Sequence, residues 1–173
     1  MLDKIKNFHQ KFDLKWDKEK TIENLLDLKK ILEELNCDFY PGFGTFLGMY
    51  RNNDIIDWDY DSDIIVIGND YQTIEDNFAK FAIKGFDVVR HDPMILSFRR
   101  NKNYTDIYPF YFKDGIYRSP NGTYTFYPFH IQIEKTMECF GTTWKIFDYP
   151  EIYLSERYGD DWMTPKEGEA AKK

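Results

Sequence analysis

Gly44-Thr45-Phe46-Leu47-Gly48-Met49-Tyr50-Arg51, followed after a short spacer by Asp57-Trp58-Asp59-Tyr60-Asp61-Ser62-Asp63-Ile64-Ile65-Val66-Ile67, is the stretch on which the fold turns. A small-residue turn opens an apolar helix. Aspartates at alternate positions then run into a block of β-branched residues, the residue type that suits a strand. Side chains alternate along a strand, so Asp61 and Asp63 point to one face. There they can converge on one hard cation at the mouth of a buried strand. Stability gives no reason to gather negative charge beside an apolar strand. Binding Mg²⁺ or Mn²⁺ together with a phosphorylated ligand does.

Working outward, residues 1–20 read as a helical lead with Phe8, Phe12 and Trp16 on one stripe. Thr21 serves as N-cap to a helix carrying Ile22, Leu25, Leu26, Leu28, Ile31, Leu32 and Leu35, which stops at Asn36. Cys37 to Phe43 reads as a strand interrupted by Pro41 and Gly42, Thr45 to Arg51 as a short helix, and Ser62 to Ile67 as a buried strand. Tyr71 to Lys84 reads as a single amphipathic helix closed by Gly85. The remainder turns to β: strands over 87–90, 95–100 and 105–112, then a hairpin with Asn121-Gly122 at its turn. A strand over 144–147, a helix from Pro150 to Arg157 and a fraying tail from Lys166 complete the reading.

At 173 residues the chain has the length of one domain with a real core. A formal net charge of −7 argues against general nucleic-acid binding, which needs a basic surface. It does not oppose a nucleotide, because a metal can supply local positive charge. The two cysteines, Cys37 and Cys139, have no metal-ligand spacing and read as free thiols of a reducing compartment. No apolar run is long enough to span a bilayer, and residues 1–20 lack the apolar core of a signal peptide. The expected location is therefore cytoplasmic. His9, His91 and His130 are isolated, with no zinc spacing.

Gly44 to Arg51 with Ile56 to Ile64 resembles the LicD/fukutin family, whose pattern is Gly-Thr-Leu-Leu-Gly-x-x-Arg, a spacer, then Trp-Asp-x-Asp-x-Asp. Two later segments resemble the same family in order: Thr105-Asp106-Ile107-Tyr108-Pro109-Phe110, and Tyr153-Leu154-Ser155-Glu156-Arg157-Tyr158-Gly159-Asp160-Asp161-Trp162-Met163-Thr164-Pro165. The likeness covers residues 22 to 165, with the domain itself placed at 21–165. Asp57 stands where the family usually has Pro, Tyr60 where a second Asp is frequent, and Ser62 where an apolar residue is usual; none of these removes a candidate ligand.

The resemblance implies an α+β nucleotidyltransferase fold of the DNA polymerase β type, a mixed sheet flanked by helices. It implies an enzyme that moves a phosphate-linked alcohol, such as phosphocholine or a polyol phosphate, from a cytidine diphosphate donor to a saccharide hydroxyl. Asp61, Asp63 and Asp106 would then hold Mg²⁺ or Mn²⁺, with Asp106 also in place as base for the acceptor hydroxyl. Asp59 reads either as a further ligand or as a turn carboxylate. Gly44 and Thr45 would face the donor phosphates from a helix N-terminus. Arg51 reads either as a phosphate contact or as the partner of an aspartate. Two other readings stay open: transfer of the nucleotide monophosphate itself, and a non-catalytic nucleotide- or glycan-binding module.

Overall fold

The computed structural model describes residues 17–166. The chain runs through α1 (Lys18–Glu34), β1 (Phe39–Pro41), α2 (Phe43–Asn52), β2 (Asp61–Ile67), α3 (Asp70–Glu75) and α4 (Phe78–Ile83). It continues through β3 (Asp87–Asp92), β4 (Ile95–Arg100), β5 (Asn103–Lys113), β6 (Ile116–Arg118) and β7 (Thr125–Phe126). A 3₁₀ turn (Pro128–Ile131), β8 (Thr136–Cys139), β9 (Thr142–Lys145) and α5 (Pro150–Tyr158) follow. The main sheet has the order β1-β2-β5-β4-β3, and β6 and β7 extend β5. β2 and β5 run parallel, and every other neighbouring pair is antiparallel. This is the mixed, helix-flanked sheet expected.

The period-2 rule divides the sheet into two faces. Ile64, Val66, Leu96, Phe98 and Ile107 belong to one face, all of them buried. Phe98 stacks on Phe81 of α4 at 4.5 Å, and Arg100, on the same side, donates from Nε to Asn24 of α1. The opposite face carries Asp61, Asp63 and Asp106 at one end. At the other end lies an aromatic core in which Phe147 stacks on Tyr153 at 3.9 Å and on Tyr40 at 5.0 Å, with Phe46, Phe110 and Phe126 around them. The acids therefore sit where that core ends.

Several elements differ from expectation. Asp17, not Thr21, caps α1: its Oδ1 accepts from the Lys20 N–H, while Thr21 is buried one turn in and donates back to the Asp17 carbonyl. The single helix over 71–84 is two short ones. Asn77 donates its side-chain amide to the Thr73 carbonyl, competing with the helix ladder at the break. Phe43 begins α2 with a positive φ of 39° instead of ending a strand. The Asn-Gly hairpin is wider than a two-residue turn: Arg118 pairs with Thr125, and Pro120 and Asn121 occupy the turn centre under the Gly122 N–H to Ser119 carbonyl bond. β8 has no counterpart in the sequence reading; it pairs with β9, which spans Thr142–Lys145 instead of 144–147. The aromatic stripe at Phe8, Phe12 and Trp16, and the tail beyond 166, lie outside the described residues.

Candidate active site

β2 and β5 lie side by side with Asp63 opposite Asp106 and Asp61 opposite Tyr104. In a parallel pair, register partners project to the same side, so all three aspartates meet on one face. Each offers a carboxylate oxygen, and these oxygens lie within 4.8 Å of one another. Asp63 and Asp106 are 8% exposed, so little water screens them. Burial, reinforced by the Asp59 charge, pushes the Asp61 carboxyl up to about 8. Burial and the neighbouring acids raise Asp63 well above the ordinary carboxylate range. Asp106 is pushed up to about 7 by burial and by Asp61, against the opposing pull of a hydrogen bond from Ser97 and the charge of Arg90. Three mutually repelling carboxylates in a dry corner are the donor set of a hard dication. The chain's own side chains fit such an ion.

α2 supplies the opposing wall, and each small residue of its motif has a defined contact. The Gly44 N–H donates to the Asp63 carboxylate, and a Cβ at Gly44 would lie 2.2 Å from Oδ2 of Asp59. The Thr45 hydroxyl accepts the Asp63 backbone N–H at 2.8 Å, fastening the helix to the strand at the acid itself. A Cβ at Gly48 would lie 2.7 Å from the Asp54 carbonyl oxygen, so this glycine lets the acid-bearing loop cross the helix closely. Asp59 hydrogen-bonds Asp61 from beside the cluster and is not one of the three acids whose oxygens converge. Asp54 and Asp57 do not face it; both pair with Lys18, at 2.5 and 2.9 Å.

Arg51 lies at the other end of α2 and donates from Nη1 to the Trp162 carbonyl at 3.1 Å. The structure thus brings Gly44 and Thr45 to the acids and engages Arg51 with the segment after α5. Tyr50 makes the companion contacts, a hydrogen bond to Glu151 and ring packing on Trp162 at 6.0 Å. With α5 clamped in this way, Tyr158 lies beside Asp63 and Asp59, and burial and their charges raise its phenol well above the ordinary range. Tyr108, on β5, lines the same corner and packs edge-on against Phe43 at 4.9 Å. Ser97 and Tyr108 escaped the sequence reading because their place depends on strand register. The run Arg99-Arg100-Asn101-Lys102 is split by alternation: Arg100 turns to α1, bonding Asp27 at 2.8 Å, and Arg99 turns to the acid face. His130 is fully buried between the Asp148 carbonyl and Glu156, a packing role.

A family model described as LicD/FKTN/FKRP, nucleotidyltransferase domain, matches residues 36–137, more than half of the chain. The chain belongs to the LicD/FKTN/FKRP family. The match spans α2, the acid strand β2 and Asp106 of β5, so the cluster lies inside the LicD domain. No curated protein matches the sequence.

Solved structures share the LicD chain's fold. The lincosamide antibiotic adenylyltransferase LnuA, with lincomycin bound, is 15% identical, with a TM-score of 0.55 over 73% of this chain and 79% of that one. The antibiotic-resistance factor ANT(2'')-Ia, in solution, is 14% identical, with a TM-score of 0.55 over 86% and 76%. Its crystal structure with adenylyl-2''-tobramycin is 14% identical, with a TM-score of 0.53 over 82% and 77%. At these identities the likeness is one of fold: the LicD domain has the nucleotidyltransferase architecture. Family and fold together support a transferase acting on nucleotide- or phosphate-related groups. Among the described residues no helix is long and apolar enough to cross a membrane.

Proposed function

We propose that this LicD domain is a divalent-metal-dependent transferase that moves a phosphate-linked alcohol from a cytidine diphosphate donor to a saccharide hydroxyl. The convergence of Asp61, Asp63 and Asp106 within 4.8 Å, at a corner walled by the first turn of α2, carries this reading. Phosphoryl transfer requires charge neutralisation and alignment more than a covalent nucleophile. Asp61 and Asp63 would hold Mg²⁺ or Mn²⁺ with Asp106, and Asp59 would either add a ligand or steady Asp61. Such an ion, when bound, neutralises donor phosphate charge. The chain itself does the rest. α2 faces the phosphates with Gly44 and Thr45, and Asp106 takes the proton of the acceptor hydroxyl. The hydroxyl oxygen forms a bond to the phosphorus that bears the alcohol. The bridging P–O bond breaks, and cytidine monophosphate leaves with the electron pair.

Asp63→Asn should abolish turnover of cytidine diphosphate donors while the thermal midpoint of the metal-free protein holds or rises. Near-wild-type turnover in that variant under limiting metal would overturn the site. A screen of cytidine and uridine diphosphate donors for Mg²⁺-dependent thermal stabilisation identifies the donor. No shift with any cytidine compound removes the donor from this reading. The second reading, transfer of the nucleotide monophosphate, draws on the adenylyltransferase LnuA and the adenylyl-2''-tobramycin complex of ANT(2'')-Ia, which share the fold. Attack would then fall on the phosphorus nearer the nucleoside. Product mass separates the two, because the transferred and leaving halves exchange.

A further inference from the structure

Two rows of register partners cross the acid face of the sheet. One runs Arg90 on β3, Ser97 on β4, Asp106 on β5 and Asp63 on β2. The next runs Asp87, Arg99, Tyr104 and Asp61 over the same four strands. Register partners share a face, so the acids on β2 and β5 continue into a floor of Ser97 and Tyr104, then into two arginines on β3 and β4. Arg90 and Arg99 are diagonal neighbours, separated by the bulge between Val88 and Arg90. Their side chains are 40% and 44% exposed, while Ser97 beneath them is buried. Each guanidinium is turned by one carboxylate, Arg90 Nε by Asp92 at 3.0 Å and Arg99 Nη2 by Asp87 at 3.4 Å. Exposed pairs of this kind contribute little to stability, so folding does not account for two arginines here. Neighbouring strands are about 4.8 Å apart, which puts the arginine backbones about 10 Å from Asp106 and Asp61.

We propose that Arg90 and Arg99 form an anion subsite that selects a saccharide acceptor carrying its own phosphate or carboxylate. This rests on the transferase reading for its purpose, since an acceptor hydroxyl must reach the acids. A sugar ring lying over Ser97 and Tyr104 would bridge the two ends of the floor, its hydroxyl toward Asp106 and its anionic substituent toward the arginines. Guanidinium forks suit such oxyanions. Because the chain carries a net charge of −7 and the acid corner opposes an anionic sugar, the two guanidiniums would bind it by sharing their N–H donors between its substituent and Asp92 and Asp87.

The subsite is tested without metal or donor. Metal-free ¹⁵N-labelled protein of residues 1–173 in chelator is titrated with glucose 6-phosphate, glucose 1-phosphate, glucuronate and neutral glucose. Amide and arginine Nε–H resonances of β3 and β4 are followed by NMR. The expected result is saturable shifts at Arg90, Arg99 and Ser97 with at least one anionic sugar, and no saturation with glucose. Affinity should fall at least tenfold in Arg90→Gln/Arg99→Gln and fall less in the double Lys variant. Both arginines lie on exposed surface, and the circular dichroism of each variant checks its fold. No saturation with any anionic sugar, equal response to glucose, or unchanged affinity in the double Gln variant would overturn the subsite. The donor screen described above fails or succeeds independently of this titration.

Discussion

Asp59 sits so close over Gly44 that a methyl group at position 44 would lie 2.2 Å from its Oδ2. The glycine is there for the carboxylate. Gly44→Ala is expected to turn the Asp59 carboxylate off α2, and because Oδ2 is the far end of a half-buried side chain the cost is about 1 kcal/mol. For a domain of this size that lowers the thermal midpoint by about 2–4 °C per kcal/mol. Adding Asp59→Ala to Gly44→Ala should restore most of the loss. A double variant no more stable than Gly44→Ala would show that the clash is not with Asp59.

Thr45 accepts the buried N–H of Asp63. Thr45→Val keeps the shape and removes the acceptor, leaving a buried donor unsatisfied at a cost of about 1–3 kcal/mol. Thr45→Ser should stay near wild type in urea midpoint. Equal midpoints for the Val and Ser variants would deny the hydroxyl its fastening role.

The raised carboxyls predict an unusual pH dependence. With Asp61 at about 8 and Asp106 at about 7, the native state keeps protons that the unfolded chain releases near its ordinary 3.8. Stability falls with pH wherever the native state binds more protons. Metal-free protein should therefore lose thermal stability from about pH 4 to about pH 8 and level off above. Mg²⁺ or Mn²⁺ binds the deprotonated acids, so its stabilisation should grow over the same window. Calorimetric scans with and without chelator read both trends. A metal-free midpoint flat across that range would count against the repelling cluster.

Ser97 donates to Asp106 and holds its carboxyl lower than burial alone would. Ser97→Ala removes that bond, so the acid limb of the pH–rate profile should move alkaline, by about one pH unit or less for a hydrogen bond of ordinary strength. A fall in rate without any displacement of the limb would assign Ser97 to packing instead.

How far the sequence could be read follows from which interactions are local. The motif from Gly44 to Ile67 revealed α2, β2 and the common face of Asp61 and Asp63, because turn chemistry and alternation act over a few residues. Asp106 was found through its resemblance to a downstream family element; its place opposite Asp63 is set by a parallel register that no local pattern encodes. The same gap hid Ser97, which needs two registers at once. Thr21 has the residue type of a cap, but Asp17 takes that place one turn earlier and the threonine is buried inside the helix. Over 71–84 the apolar period runs on through Asn77, so it does not show the break at which the Asn77 side chain bonds the Thr73 carbonyl.

The pairing of β2 with β5 is the one parallel ladder among the described residues, and it joins position 63 to position 106. Contacts this distant in sequence close late, after the hairpins and helices whose ends are near one another. During folding the acids on β2 thus remain without Asp106 until β5 has paired beside β2. A lanthanide or Mn²⁺ probe added to refolding protein would therefore act as a clock for that step, its signal rising only when β5 has docked beside β2.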